Sequence, residues 1–257
     1  MPNATYDLMV DWNNDQVYGD ANEDITADLI DIRWSYGRDY ASMLTGRSTA
    51  GLLTALLLNQ TGKYNSFNAG SPISGSILPH RRVRLRMTVG ANTTVEFLGF
   101  LDSIRPQPAI GRIPTARLQA IGSLGAIEQR KVNVTMSTGV LTGAAINTVL
   151  DEAGWATSTS LARDIDAGQL TLTRWWTGGK IQAITALRQI EETEPGFIRE
   201  RKDGRIRYED RFTRMKSPHT VSQATFSDAV AANLRYTHVQ QQDPLKEIYN
   251  IIRATVK

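Results

Sequence analysis

The sequence predicts an α+β protein, with an antiparallel β-barrel or sandwich over residues 1–115, a smaller mixed α+β domain over 116–245, and a terminal strand or the start of a further domain at 246–257. Three observations predict it. Residues up to 121 hold several short runs that alternate apolar and polar side chains, with no helix-length pattern between them. From Ser137 the apolar spacing lengthens to that of helices. Between the two regimes lies "RPQPAIGRIP", Arg105 to Pro114, whose prolines interrupt regular structure and place the domain boundary near 110–118.

In "YDLMVDW" the residues Tyr6, Leu8, Val10 and Trp12 fall on one face and Asp7 and Asp11 on the other, as in a half-buried strand. "LIDIRWS" repeats the pattern, setting Ile30, Ile32 and Trp34 against Asp31, Arg33 and Ser35. "LLTALLL", residues 52–58, is short for a helix and is bounded by Gly51 and Asn59, which favours a strand buried on both faces over a short helix. "RRVRLRMTV" alternates Val83, Leu85, Met87 and Val89 with Arg82, Arg84, Arg86 and Thr88, so one face belongs to a core and the other is basic. Gly90 to Thr93 turn it into "TVEFLGFL", a hairpin over 82–101 with a four-residue loop, and "TARLQAI" supplies another strand.

Beyond Ser137, the residues Thr142, Ile146, Val149 and Ala153 share one helical face, with Gly154 as the stop. A second helix is expected from Lys180 to about Glu194, where Ala183, Ile184, Leu187 and Ile190 align and Pro195-Gly196 ends the pattern. "QLTLTRWW" reads as extended, and "FIRERKDGRIRYEDRF" as a hairpin turning at Asp203-Gly204. The run "LKEIYNIIRATVK" suits a strand that needs a partner, which hints at assembly or at a further domain.

The balance of 41% hydrophobic and 21% charged residues in 257 is that of a globular chain able to bury a full core. A net charge of +3 is too mild to argue for nucleic-acid binding without local clustering. The absence of cysteine excludes disulfides, thiolate metal sites and a cysteine nucleophile. No stretch approaches a membrane span and the N-terminus lacks the pattern of a secretion signal, so a soluble chain is expected and the sequons at Asn3, Asn59, Asn92 and Asn133 read as chance matches.

Chemical motifs are few. Gly62-Lys63 and "WTGGKIQ" lack the upstream glycine and downstream hydroxyl of a phosphate loop, so each reads as a turn or helix start. Glu191, Glu192 and Glu194 are carboxylates of the type glycoside hydrolysis needs, but a charge network with Arg199, Arg201 and Arg205 is the plainer reading. His80, His219 and His238 lie far apart, no G-x-S-x-G elbow occurs, and the Gly139/Gly143 spacing suits local packing. No catalytic, cofactor or metal residue is assigned. The one distinctive charge feature is Arg82, Arg84 and Arg86, about 7 Å apart on one strand face. Their partners are acids of the same chain or those of a neighbouring subunit; no Phe or Tyr interleaves with them on that face to stack on bases.

Three segments carry a further signal: "MVDWNND", "DLIDIRWSYGRD" and "GLLTALLLNQTGKYNSFNAGSPISGSILPHRRVRLRM". In the last, a strand ends in an Asn-containing loop with Gly and Tyr, followed by a Ser-Pro segment, a proline turn and another strand. With "LDEAGW" and "EPGFIRERKDGRIRYEDR" further on, this order resembles the tail-tip and baseplate-hub proteins of tailed bacteriophages and related tail-like particles. The resemblance implies a tail-tube-like β-barrel, a second domain with a Gly-turn hairpin, and no enzymatic activity or cofactor. It also implies a ring, commonly a trimer and in distal-tail relatives a hexamer, around a channel that DNA crosses transiently. Expected partners are the tail tube, tape-measure and tip or fibre proteins, in a virion tail assembled in the host cytoplasm. Arg82, Arg84 and Arg86 are then candidates for the subunit interface, Lys63 belongs to a surface or interface loop, and "IYNIIRATVK" resembles the start of another barrel domain. The alternatives are a peptidoglycan-degrading tail enzyme using Glu191 and Glu194, and a soluble DNA-binding module.

Overall fold

The alternating runs become one antiparallel sheet. The structure is a computed structural model that describes residues 4–38, 47–108, 111–156, 162–222 and 224–227. The strands are β1 (Ala4–Asp11), β2 (Leu29–Arg38), β3 (Ser48–Leu58), β4 (Arg82–Val89), β5 (Asn92–Gln107) and β6 (Thr115–Ile121), in the order β1-β4-β5-β6-β3-β2. Every neighbouring pair is antiparallel. Leu8, Val10, Leu53, Ala55, Leu57, Val83, Leu85, Phe97 and Leu118 point to one core, which Trp12, Ile25 and Tyr64 complete from the loops. The sheet curls enough to bring one side chain from each edge strand together, the Tyr6 and Trp34 rings lying 5.8 Å apart.

Several side chains depart from strict alternation for local reasons. A bulge between Leu29 and Asp31 turns Ile30 outward, to 53% exposure, where alternation set it with Ile32 and Trp34. β3 is a strand, but only its Leu53, Ala55 and Leu57 face is fully buried; Leu52 stands 55% exposed. Asp11, expected outside, is fully buried because its carboxylate accepts the backbone N–H groups of Asn14, Asp15 and Gln16. The β4–β5 turn is Gly90-Ala91, since Asn92 already pairs with Val89, and Gly90 takes φ +62. β6 is an interior strand pairing with β5 and β3, so the Arg105–Pro114 segment connects two strands of one sheet.

The remaining elements are α1 (Ser123–Glu128), β7 (Lys131–Val132), β8 (Val140–Leu141), α2 (Thr142–Glu152), β9 (Arg163–Ile165), β10 (Thr171–Leu172), β11 (Ile181–Gln182), α3 (Ala183–Thr193), β12 (Phe197–Glu200) and β13 (Ile206–Glu209). β8 pairs with β10 and β7 with β11, while β12, β13 and β9 form a three-stranded sheet in which β13 and β9 run parallel. Both expected helices form. α2 buries Ala145, Ile146, Val149 and Leu150 and stops at Gly154, φ +65, while α3 buries Ala183, Ala186, Leu187 and Ile190. Gly204 at φ +81 turns the β12–β13 hairpin. "QLTLTRWW" contributes only Thr171–Leu172 to a strand. These elements share a second core with Leu98 and Phe100 of β5, so the chain through Thr213 forms one unit that is α+β with mainly antiparallel sheet.

Arg214–Lys257 form a second unit, with a short helical turn at Thr213–Met215 leading into it. The expected terminal strand at 246–257 and His238 lie outside the described residues. Among those residues no helix is long and apolar enough to cross a membrane.

Candidate functional site

The arginine stripe arises from the β4 alternation and meets partners within the chain. In the β1–β4 register, Arg86 faces Asp7 and pairs with it at 3.1 Å, and Arg84 faces Met9, whose sulfur its guanidinium contacts at 3.0 Å. The Arg84 guanidinium also covers the Tyr18 ring at 3.9 Å. Burial, countered in part by Arg82 and Arg84, drives the Tyr18 hydroxyl above its ordinary pKa, and burial together with Arg86 lowers that of Arg84. Arg82 lies opposite Asp11, and all three arginines are half-buried. The stripe thus braces β1 and the loop that follows it.

Lys63 is drawn inward. The loop after β3 turns at Gly62, φ +69, and delivers Tyr64 to the sheet core at 0% exposure, its hydroxyl donating to Asp28 at 2.5 Å. Lys63 pairs with the same carboxylate at 3.0 Å and keeps only 18% of its side chain exposed, so it is an internal brace of this loop. Asn59 is buried and accepts the Tyr64 N–H, which removes its sequon from solvent.

The three acids at the end of α3 do not share the partners the sequence suggested. Arg199 pairs with Glu209, Arg201 with Asp164 and Asp203, and Arg205 with Asp203. Glu192 pairs instead with Arg47. Glu191 pairs with Arg188 at 2.6 Å and accepts the Ile198 N–H at 2.7 Å. Glu194 is fully buried; burial resists its ionisation, but donation from Thr142 Oγ1 at 2.5 Å and from the Leu170 and Gln169 N–H groups outweighs this and holds the carboxyl below its usual range. A general acid needs the opposite tuning.

The chemically distinctive site sits where the sheet meets the second core, in an open groove of about 950 Å³ lined by Trp34, Tyr36, Glu96, Arg199, Glu200 and Lys202. Glu200, 6% exposed at the end of β12, accepts the N–H groups of Gly51 on β3 and of Leu124 on α1, the latter at 2.8 Å. Burial raises its pKa from 4.5 to about 7, although both N–H bonds favour the ionised form. Gly122 leaves room for the Glu200 carboxyl group, which a Cβ at this position would push aside. Arg188 reaches across as well, donating to Ser48 O at 2.6 Å and to Ile198 O. Lys202 and Glu96 pair across the groove at 3.0 Å. Sequence reading missed Glu200 because alternation in "FIRERKD" puts it beside Ile198, and only the meeting of distant segments shows its role.

His80 packs edge-on to Phe100. Carboxylates suited to a cation converge elsewhere, at the end of β1 and in the loop after it: Asp11, Asp15 and Glu23.

No family model matches the chain, and no curated protein matches it in sequence. Structures similar to it include tail proteins and a type VI secretion component. They include the 43 kDa tail protein of prophage MuSo2 from Shewanella oneidensis, at 10% identity and a TM-score of 0.47, covering 79% of this chain and 53% of that one. A tail protein from Neisseria meningitidis MC58 gives 11% identity and a TM-score of 0.48 over 80% of this chain and 51% of that one. An E. coli type VI secretion component gives 11% and 0.43 over 63% and 42%. The chain spans about half the length of these two tail proteins and less of the type VI secretion component. At such scores the likeness assigns no role by itself.

Proposed function

We propose that this chain is a structural component of a phage tail, at the tail tip or baseplate hub, where copies close into a ring around the DNA channel and join the tail tube to tip proteins. The observation that carries the proposal is β2. It is a ten-residue strand, last in the sheet order, with Ile30 turned out by a bulge at 53% exposure. Such an edge offers N–H and C=O groups to a neighbouring chain, and a heterologous contact of this kind closes into a ring when the rotation allows. Glu200 and Arg188 support the reading, because they tie the sheet to the second core as one body that can transmit force. The motif order of the sequence indicates the kind of particle.

In this reading the curled sheet is a tail-tube-like barrel domain left open at β2, with β6 counted to it, and the two cores support a division into that domain and an α+β domain. Arg82, Arg84 and Arg86 border the lateral interface by holding β1 and its loop in place. The ring is a trimer, or a hexamer if the chain acts as a distal-tail adaptor. Its partners are the tail tube, tape-measure and tip or fibre proteins, with DNA passing transiently, and its action involves no bond chemistry. Light scattering on Ile30→Asp tests the edge: the variant keeps its far-UV circular dichroism and loses the oligomeric mass of the parent. An Ile30→Asp protein that assembles like the parent would remove β2 from the interface.

A further inference from the structure

The connection from β1 to β2 begins Asp11-Trp12-Asn13-Asn14-Asp15 and returns through Gly19 and Asp20 to Glu23. Asp11, Asp15 and Glu23 each bring a carboxylate oxygen to one place, all within 4.8 Å of one another. Asp11 and Glu23 are 0% and 1% exposed, while Asp15 is exposed and leaves the place open to solvent. The decisive atom is Glu23 Oε1, which is buried and has no hydrogen-bond partner. Its sister Oε2 accepts the Gly19 and Asp20 N–H groups at 2.9 and 3.0 Å, which holds the side chain in place, and a carboxylate oxygen of Glu23 lies within 4.8 Å of one from Asp11 and one from Asp15. Asp11 is pinned in the same way, Oδ1 accepting from Asn14 and Asp15 and Oδ2 from Gln16. A buried carboxylate oxygen without a donor, beside two like charges, is costly unless a cation fills the place.

We propose that Asp11, Asp15 and Glu23 bind a calcium ion. The donors are all oxygen, which selects a hard cation. The spacing Asp11-x-Asn13-x-Asp15 repeats the first, third and fifth ligand positions of the twelve-residue calcium loop, and Val17 falls at the position that uses a backbone carbonyl. Gln16, at φ 72, makes the left-handed turn that such loops assign to glycine. The loop departs from that pattern at its end, where Asn22 holds the twelfth position and the acid is Glu23, one residue later. Asn13, whose amide donates to Asp15 Oδ2 at 3.1 Å and to Asp20 Oδ2 at 2.7 Å, completes the rim. Arg82, opposite Asp11 in register, and Arg84, which interacts with Glu23, both oppose a cation, and the four acids Asp11, Asp15, Asp20 and Glu23 outnumber them. Calcium is favoured over magnesium because it accepts irregular ligand sets that mix carboxylates, carbonyls and water. The ion fastens the segment that covers the outer side of β1, where Val10 N donates to Glu23 O and Ile25 N to Leu8 O.

The test uses the full chain stripped with EDTA and titrated with terbium ion, whose emission Trp12, next to Asp11, sensitises. One terbium is expected to bind per chain, calcium is expected to displace it more readily than magnesium, and calcium is expected to raise the thermal midpoint. Asp15→Asn, at an exposed position, should fold normally and weaken calcium at least tenfold, and Glu23→Gln should weaken it further. Emission that calcium does not displace at concentrations on the order of 10 mM, above the weakest range of such loops, would overturn the proposal. So would unchanged affinity in both variants, and equal displacement by magnesium would overturn the choice of calcium.

Discussion

Replacing Glu200 by Gln separates the charge of this carboxyl from its shape. Its folded pKa of about 7 lies above its ordinary 4.5, so the native state holds a proton that the unfolded chain has released between these values. The sign follows: the contribution of Glu200 to stability is fully present below pH 4.5, falls as pH rises toward 7, and is then level. At 1.36 kcal/mol per pKa unit the whole loss is about 3 kcal/mol. Gln cannot titrate and offers one oxygen to two donors, leaving either the Gly51 or the Leu124 N–H unsatisfied at a cost of about 1–3 kcal/mol. The parent should therefore be the more stable protein at pH 5, and its advantage should shrink by about 2.5 kcal/mol, or reverse, by pH 8. Urea unfolding of both proteins at pH 5, 6, 7 and 8 reads this difference directly, since other titrating groups cancel. A difference that stays constant across the window would refute the burial argument for Glu200.

Gly143→Ala should destabilise strongly, because its Cβ would collide with the backbone carbonyls of Asp166 and Ala167, whereas Gly37→Ala, with nothing within 4 Å, should change the melting temperature little. Tyr64→Phe removes the bond to Asp28 and should cost about 1–2 kcal/mol in urea unfolding. Phe97→Ala, at 0% exposure in the sheet core, should cost about 3–5 kcal/mol by the same measurement. Glu191→Gln and Glu194→Gln together should leave no lytic activity to lose, since both carboxylates are occupied by donors of their own chain; a lytic activity in the parent that the pair abolishes would restore the enzyme reading.

The strands were legible because burial on one side of a sheet writes period 2 directly into "RRVRLRMTV" and "TARLQAI", which appear as β4 and β6. α2 and α3 were legible for the matching reason, an apolar stripe ended by Gly154 and by Pro195-Gly196. The short α1 was missed because six residues are too few to show a period. Ile30 leaves its expected face because of a bulge, and Asp11 keeps its face but is buried because its carboxylate binds backbone N–H groups; neither effect leaves a periodic trace. The ties of Glu200, Tyr64 and Arg188 were invisible because each joins segments far apart in the chain. The acidic loop was legible only as part of "MVDWNND"; its convergence depends on the return of the chain through Gly19 to Glu23.

The central claim is assembly into a ring, and the most direct test is the mass of the purified chain by light scattering across a range of concentrations, with negative-stain images of the same fraction. The account predicts a closed ring of three or six times the chain mass. A protein that remains monomeric at the highest concentration, with no ring in the images, would contradict it.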